Sequence, residues 1–145
     1  MEKFGEKFSE FVVNHYLLSA GFLIVLFLLI KELMRNVGKA YQEILPAEVT
    51  RLINHEEALV IDVREEKDFQ KGHILNAMHL PLGLFESKLN KLEKHKSKPI
   101  ILSCNTGKQS DRACAILVKN GYEKIFNLKG GVSNWQAANL PLTKS

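Results

Sequence analysis

From Phe11 to Ile30 the chain runs twenty residues without a Lys, Arg, Asp or Glu. Few structures accommodate such a stretch. As a helix rising about 1.5 Å per residue it covers the roughly 30 Å hydrocarbon core of a bilayer. Its second half, Gly21 to Ile30, is apolar throughout; its first half carries Asn14, His15 and Ser19, with Tyr16 as an interfacial aromatic anchor. A buried core helix would need a partner surface, and the remaining residues already suffice for a small domain. A cleaved leader would need a basic n-region, but Lys3 and Lys7 are offset by Glu2, Glu6 and Glu10, and no small-x-small cleavage site follows. The expectation is a single-pass N-terminal transmembrane helix, with residues 1–40 as anchor and linker and 41–145 as one domain. Lys31, Arg35 and Lys39 follow the span against Lys3 and Lys7 before it, so the positive-inside rule puts the C-terminal domain on the cytoplasmic side of the membrane. Residues 31–41 are read as one or two further helical turns and a link.

The charge balance excludes one class of partner. The net charge of +4 is mild, and no basic-aromatic interleaving appears, so nucleic acid is not expected. Two cysteines, Cys104 and Cys114, are too few for a disulfide framework and have no zinc-ligand spacing. Both read as free thiols of a reducing compartment. His15, His55, His79 and His95 show no metal-ligand grouping. The expectation is neither metal nor cofactor.

Beyond Tyr41 short apolar runs alternate with amphipathic stretches. Strands are predicted over 42–45, 58–63, 77–80, 100–103 and 125–128. Helices are predicted from Pro46 and over 65–71, 84–95, 111–120 and 132–138. This alternation implies an α/β domain with a central, mostly parallel sheet flanked by helices. In such sheets ligands sit beyond the C-terminal ends of the strands.

Cys104 falls at one of those ends. Ile100 to Ser103 is the strand, Cys104 to Gln109 a polar loop containing Gly107, and a helix follows. Unpaired N–H groups of such a loop and of the first helical turn stabilise a thiolate. Ser110 is expected to cap the helix, with a hydrogen bond to sulfur as a second role. Cys114, on an Ala-rich helix face, reads as core.

Ile61-Asp62-Val63-Arg64-Glu65, Phe69 with Gly72-His73-Ile74 and Asn76-Ala77, Leu80-Pro81, the loop Cys104–Gln109, Asn120-Gly121-Tyr122, and Leu128 to Val132 with Trp135 together resemble a rhodanese-like domain. With the N-terminal span, the chain is similar to the membrane-anchored single-domain members of Gram-negative bacteria, which implies that the membrane is the inner one. The resemblance implies a sulfurtransferase. Cys104 would take sulfane sulfur from a donor such as thiosulfate as a persulfide and pass it to an acceptor thiol, on a small molecule or a protein. The loop residues Asn105, Thr106, Gly107, Lys108, Gln109 and Ser110 would bind substrate, their amides holding the sulfur. Asp62, Arg64 and His73 would brace the site. Two departures stand out. Leu75-Asn76 replaces the usual Pro-Gly, and Lys108 is the only loop cation, where many active members carry arginine. The alternative reading is a non-catalytic module of the same fold, docking a membrane or secretory partner. A phosphatase-like reading would need a longer loop ending in Arg, and residue 110 is Ser. The lysines Lys88, Lys91, Lys94, Lys96 and Lys98 read as a solvated face, with anionic lipid headgroups as the other candidate contact.

Overall fold

Alternate side chains on the short apolar strands point to opposite sides, and both sides need cover. The computed structural model, which describes residues 2–34 and 39–144, shows how this is met. The chain divides into two units, Met1–Lys39 and Ala40–Ser145. In the second unit five strands form one parallel sheet in the order β1-β5-β4-β2-β3. They are β1 (Gln42–Ile44), β2 (Leu59–Asp62), β3 (Met78–His79), β4 (Ile100–Ser103) and β5 (Ile125–Leu128). Helices α3 (Pro46–Glu56), α4 (Glu66–Lys71), α5 (Lys108–Lys119) and α6 (Gly131–Ala137) connect or follow them.

One side of the sheet buries Ile61, Val63, Ile100, Leu102 and Cys104 against Ala113, Cys114 and Leu117 of α5 and against Phe85 and Leu92. The other buries Val60, Ile101 and Leu128 against Val49 and Leu52 of α3 and Trp135 of α6. Pro46 sits at the start of α3, where its missing N–H is not needed. β4 lies at the centre, between β5 and β2. Whatever follows these three strands therefore meets at one end of the sheet.

Two local expectations are corrected. The segment predicted as an α-helix over 84–95 is 3₁₀ structure, Leu82–Leu84 and Glu86–His95, broken by non-helical Lys88. Ser87 Oγ donates to the Leu84 carbonyl at 2.9 Å, so a local side-chain bond competes with the α-helical ladder. Phe85 and Leu92 still point inward. The helix after the nucleophile begins at Lys108, not Asp111, and the residue before it is Gly107 with φ 92°. Ser110 is thus inside the first turn and is not the cap. The lysine run lies at the surface, with Lys91, Lys94 and Lys96 exposed; Lys96 Nζ lies 5.0 Å from the Tyr122 ring centre and Lys98 pairs with Glu57 at 3.2 Å.

The first unit contains α1 (Glu2–Asn14) and α2 (Tyr16–Met34). The helix long and apolar enough to cross a bilayer is Tyr16–Met34, with mean hydropathy 2.2 and no buried residue. It starts later than the expected 11–30 because the chain makes a turn at His15, between α1 and α2. Phe11 belongs to α1, where Phe4, Phe8 and Phe11 fall on one face by their spacing of four and three. Arg35 and most of the link to the domain lie outside the described residues.

Candidate active site

Cys104 follows the central strand β4 directly and is 1% exposed. Its backbone is held from the far side of the loop. The Val132 N–H donates to the Cys104 carbonyl at 2.8 Å, and the Ser133 N–H donates to the Asn105 carbonyl at 3.2 Å. These are amides of the first turn of α6, which have no intrahelical acceptor of their own. The approach depends on Gly131. A Cβ added there would run into the Cys104 carbonyl oxygen and come within 2.6 Å of the Asn105 carbonyl carbon. Gly131 also has φ 61°, in the left-handed region that glycine tolerates.

The sulfur has two polar neighbours. The Gly107 N–H donates to Sγ at 3.0 Å. Ser110 Oγ lies 3.3 Å from Sγ and 2.6 Å from Asn127 Oδ1. Sequence reasoning expected amides from Asn105 to Ser110 to turn toward the sulfur; among the hydrogen bonds of the described residues, Gly107 supplies the loop amide that reaches it. Asn105, Thr106, Lys108 and Gln109 are exposed, whereas Ser110 is fully buried.

Asn127 is a residue that sequence reasoning missed. It sits on β5, is 2% exposed, and donates from Nδ2 to the Gly107 carbonyl at 3.1 Å. The available signal was one amide inside the apolar run Ile125-Phe126-Asn127-Leu128, since a buried polar side chain requires partners.

The end of β2 supplies the next layer. Arg64 and Asp62 form a buried pair, with side chains 5% and 1% exposed. Nε of Arg64 contacts Oδ1 and Oδ2 at 2.9 and 3.0 Å, and Nη2 contacts Oδ2 at 2.6 Å. Nη2 also donates to the Gly72 carbonyl at 2.8 Å, and Nη1 approaches Asn105 Oδ1 at 3.4 Å. His73 stacks on Phe69 with ring centres 3.8 Å apart, and its Nδ1 bonds the Phe69 carbonyl at 2.9 Å. His79 stacks on the same ring at 4.4 Å, and its Nε2 bonds the Arg64 carbonyl at 2.8 Å. Because carbonyls only accept, both ring nitrogens are the protonated ones. A polar cleft of about 180 Å³ opens beside the loop, lined by Arg64, Asp68, Lys71, Asn105, Ser133 and Gln136 among others. Among the described residues no group of three or more His, Cys, Asp or Glu is placed to hold a metal ion.

A cysteine at a parallel-strand end, with a loop amide on its sulfur and a left-handed glycine before the next helix, is an arrangement for holding an anionic sulfur. The family model for the rhodanese-like domain matches residues 45–138. The chain belongs to the rhodanese-like family. The protein YibN of Escherichia coli strain K12 is 35% identical over 140 residues, covering 96% of this chain and 98% of its own. A sulfurtransferase of Allochromatium vinosum is 32% identical over 92 residues, 63% of this chain and 84% of that protein. The crystal structure of a rhodanese-related protein from Thermoplasma volcanium has a TM-score of 0.66 at 27% identity, covering 72% of this chain and all of that one. The protein is thus a YibN-like rhodanese domain protein, and sulfurtransferases are among its relatives.

Proposed function

We propose that the chain is a membrane-anchored sulfurtransferase that carries sulfane sulfur on Cys104. The observation that carries this reading is the Gly107 N–H that donates to the Cys104 sulfur at 3.0 Å, with the Ser110 hydroxyl oxygen 3.3 Å from the same atom. In the reaction, the Cys104 thiolate attacks the outer sulfur of a donor such as thiosulfate. The donor's S–S bond breaks, and sulfite leaves with the electron pair. The product is a Cys104 persulfide anion. An acceptor thiolate then attacks the terminal sulfur, and Cys104 departs as thiolate. Covalent catalysis divides one difficult transfer into two displacements. Directed donors matter because negative charge stays on the site's sulfur throughout. Lys108, exposed at the start of α5, brings positive charge for an anionic donor as a point charge rather than a planar fork. The apolar helix Tyr16–Met34 is the anchor, and the domain is on the cytoplasmic side, where thiols stay reduced.

Incubation of the purified chain with thiosulfate, followed by intact mass, tests the reading. A gain of one sulfur atom, lost in Cys104→Ser, is expected; no gain with any sulfane donor would overturn it. The second reading, a docking module, draws on the burial of Cys104 at 1% exposure. It predicts that Cys104→Ser leaves partner capture and cellular phenotype unchanged.

A further inference from the structure

Ser110 carries one hydroxyl hydrogen and faces two acceptors. Its Oγ is 2.6 Å from Asn127 Oδ1 and 3.3 Å from Cys104 Sγ, and Ser110, Asn127 and Cys104 are 0%, 2% and 1% exposed. The orientation of the Asn127 amide is decided by its other end. Nδ2 lies 3.1 Å from the Gly107 carbonyl, which can only accept, so the oxygen must face Ser110. The shorter contact claims the hydrogen. Ser110 then presents a lone pair to the sulfur, which suits an S–H that donates and opposes an S⁻ that needs to accept.

We infer that Asn127 is a positioning residue that holds the Ser110 hydroxyl hydrogen off Cys104 while the sulfur is a thiol and releases it when the sulfur becomes anionic. On ionisation the thiol proton goes to solvent, the hydroxyl rotates, the Ser110–Asn127 bond breaks and a Ser110–sulfur bond forms. No proton passes through Ser110. A thiolate or persulfide therefore forms at the expense of a buried Asn127 acceptor, which keeps the idle site in its protonated, less reactive form. The charged groups on elements around the sulfur are Asp62 at the end of β2 and Arg64 after it, Lys108, Asp111 and Arg112 on α5, and Lys129 after β5, and none of them is altered in the test below. The use made of this device rests on the sulfur-carrier reading; its existence does not.

The test is the pH dependence of iodoacetamide alkylation at Cys104 in the full chain in detergent micelles, on a Cys114→Ala background. Asn127→Leu, Ser110→Ala and the double variant complete a cycle. Loss of the Asn127–Gly107 bond acts equally with and without the Ser110 hydroxyl and cancels. Asn127→Leu is expected to move the midpoint downward by about one pH unit more with Ser110 present than in the Ser110→Ala background, about a tenfold change in thiolate population. Equal shifts in the two backgrounds overturn the inference. Infrared spectroscopy needs no change at residue 127. The S–H stretch of Cys104 is expected at lower frequency with Ser110 than in Ser110→Ala, and identical bands overturn the inference. Coupling without any persulfide would leave this device standing and remove the sulfurtransferase reading.

Discussion

Arg64 binds both carboxylate oxygens of Asp62, two residues before it, and both side chains are almost wholly buried. The same guanidinium reaches the Gly72 carbonyl and Asn105, the residue after the nucleophile. A single cation thus ties the end of β2, the end of α4 and the start of the active-site loop. Replacing it with methionine leaves a buried carboxylate without its partner. Arg64→Met is expected to cost about 3–5 kcal/mol in folding stability, read by thermal or denaturant unfolding. Arg64→Lys recovers less than half of that, because an ammonium has no planar fork to satisfy three partners at once.

Gly131 allows α6 to donate two backbone amides to the carbonyls of Cys104 and Asn105. A methyl group there meets backbone, not a flexible side chain. Gly131→Ala is expected to destabilise by more than about 3 kcal/mol, the scale at which steric strain and lost buried hydrogen bonds combine. Gly130→Ala meets the Asn134 Cβ at 2.7 Å, which side-chain rotation cannot move, but not the backbone of the active-site loop. Its cost is expected to exceed the about 1–2 kcal/mol of the left-handed backbone alone and to stay below that of Gly131→Ala, because the two amide bonds to Cys104 and Asn105 are kept. Equal losses in the two variants would contradict this account of the loop's support.

Ser103 is the neighbour of Cys104 on β4, and its hydroxyl is fully buried with no hydrogen-bond partner among the described residues. Removing the hydroxyl removes a desolvation penalty and leaves a cavity smaller than a methyl group. Ser103→Ala is expected to be neutral or to stabilise by up to about 1 kcal/mol. A loss of more than that in denaturant unfolding would show that the hydroxyl has a partner.

Much of this was legible in the sequence. Strand-length apolar runs and the punctuation by Gly and Pro located the parallel sheet and put Cys104 at a strand end. The motif order from Asp62 to Trp135 indicated the family. Boundaries were less legible where local side chains compete with the backbone, as Ser87 does in the 3₁₀ segment. The start of α5 was misplaced because Ser110 is a good capping residue by type, while the backbone turn is made three residues earlier by Gly107. The contact of Ser110 with the Cys104 sulfur was legible, but the link from Ser110 to Asn127 was not. It joins residues 17 apart through adjacency of β5 and β4, and one-dimensional spacing carries no sign of that pairing.

The membrane assignment rests on α2, whose residues Leu23 to Ile30 are apolar on every side. The full chain is expected to stay with membranes through an alkaline carbonate wash and to be released from cells only with detergent. Substituting Leu26→Arg with Leu29→Arg places two charges mid-span, each disfavoured by about 2.5–3.5 kcal/mol on an insertion scale, and is expected to shift the chain to the soluble fraction. Retention of that double variant on membranes would mean that something other than the span holds it there.

The sulfur-carrier claim is tested most directly by following one atom. Thiosulfate labelled in its outer sulfur is mixed with the detergent-solubilised chain, and the protein is then desalted and offered a thiol. The account predicts one label per chain, mapped to the peptide containing Cys104, and its complete transfer to the thiol on a second incubation. Label that never enters wild-type protein, or that enters Cys104→Ser equally well, would contradict it.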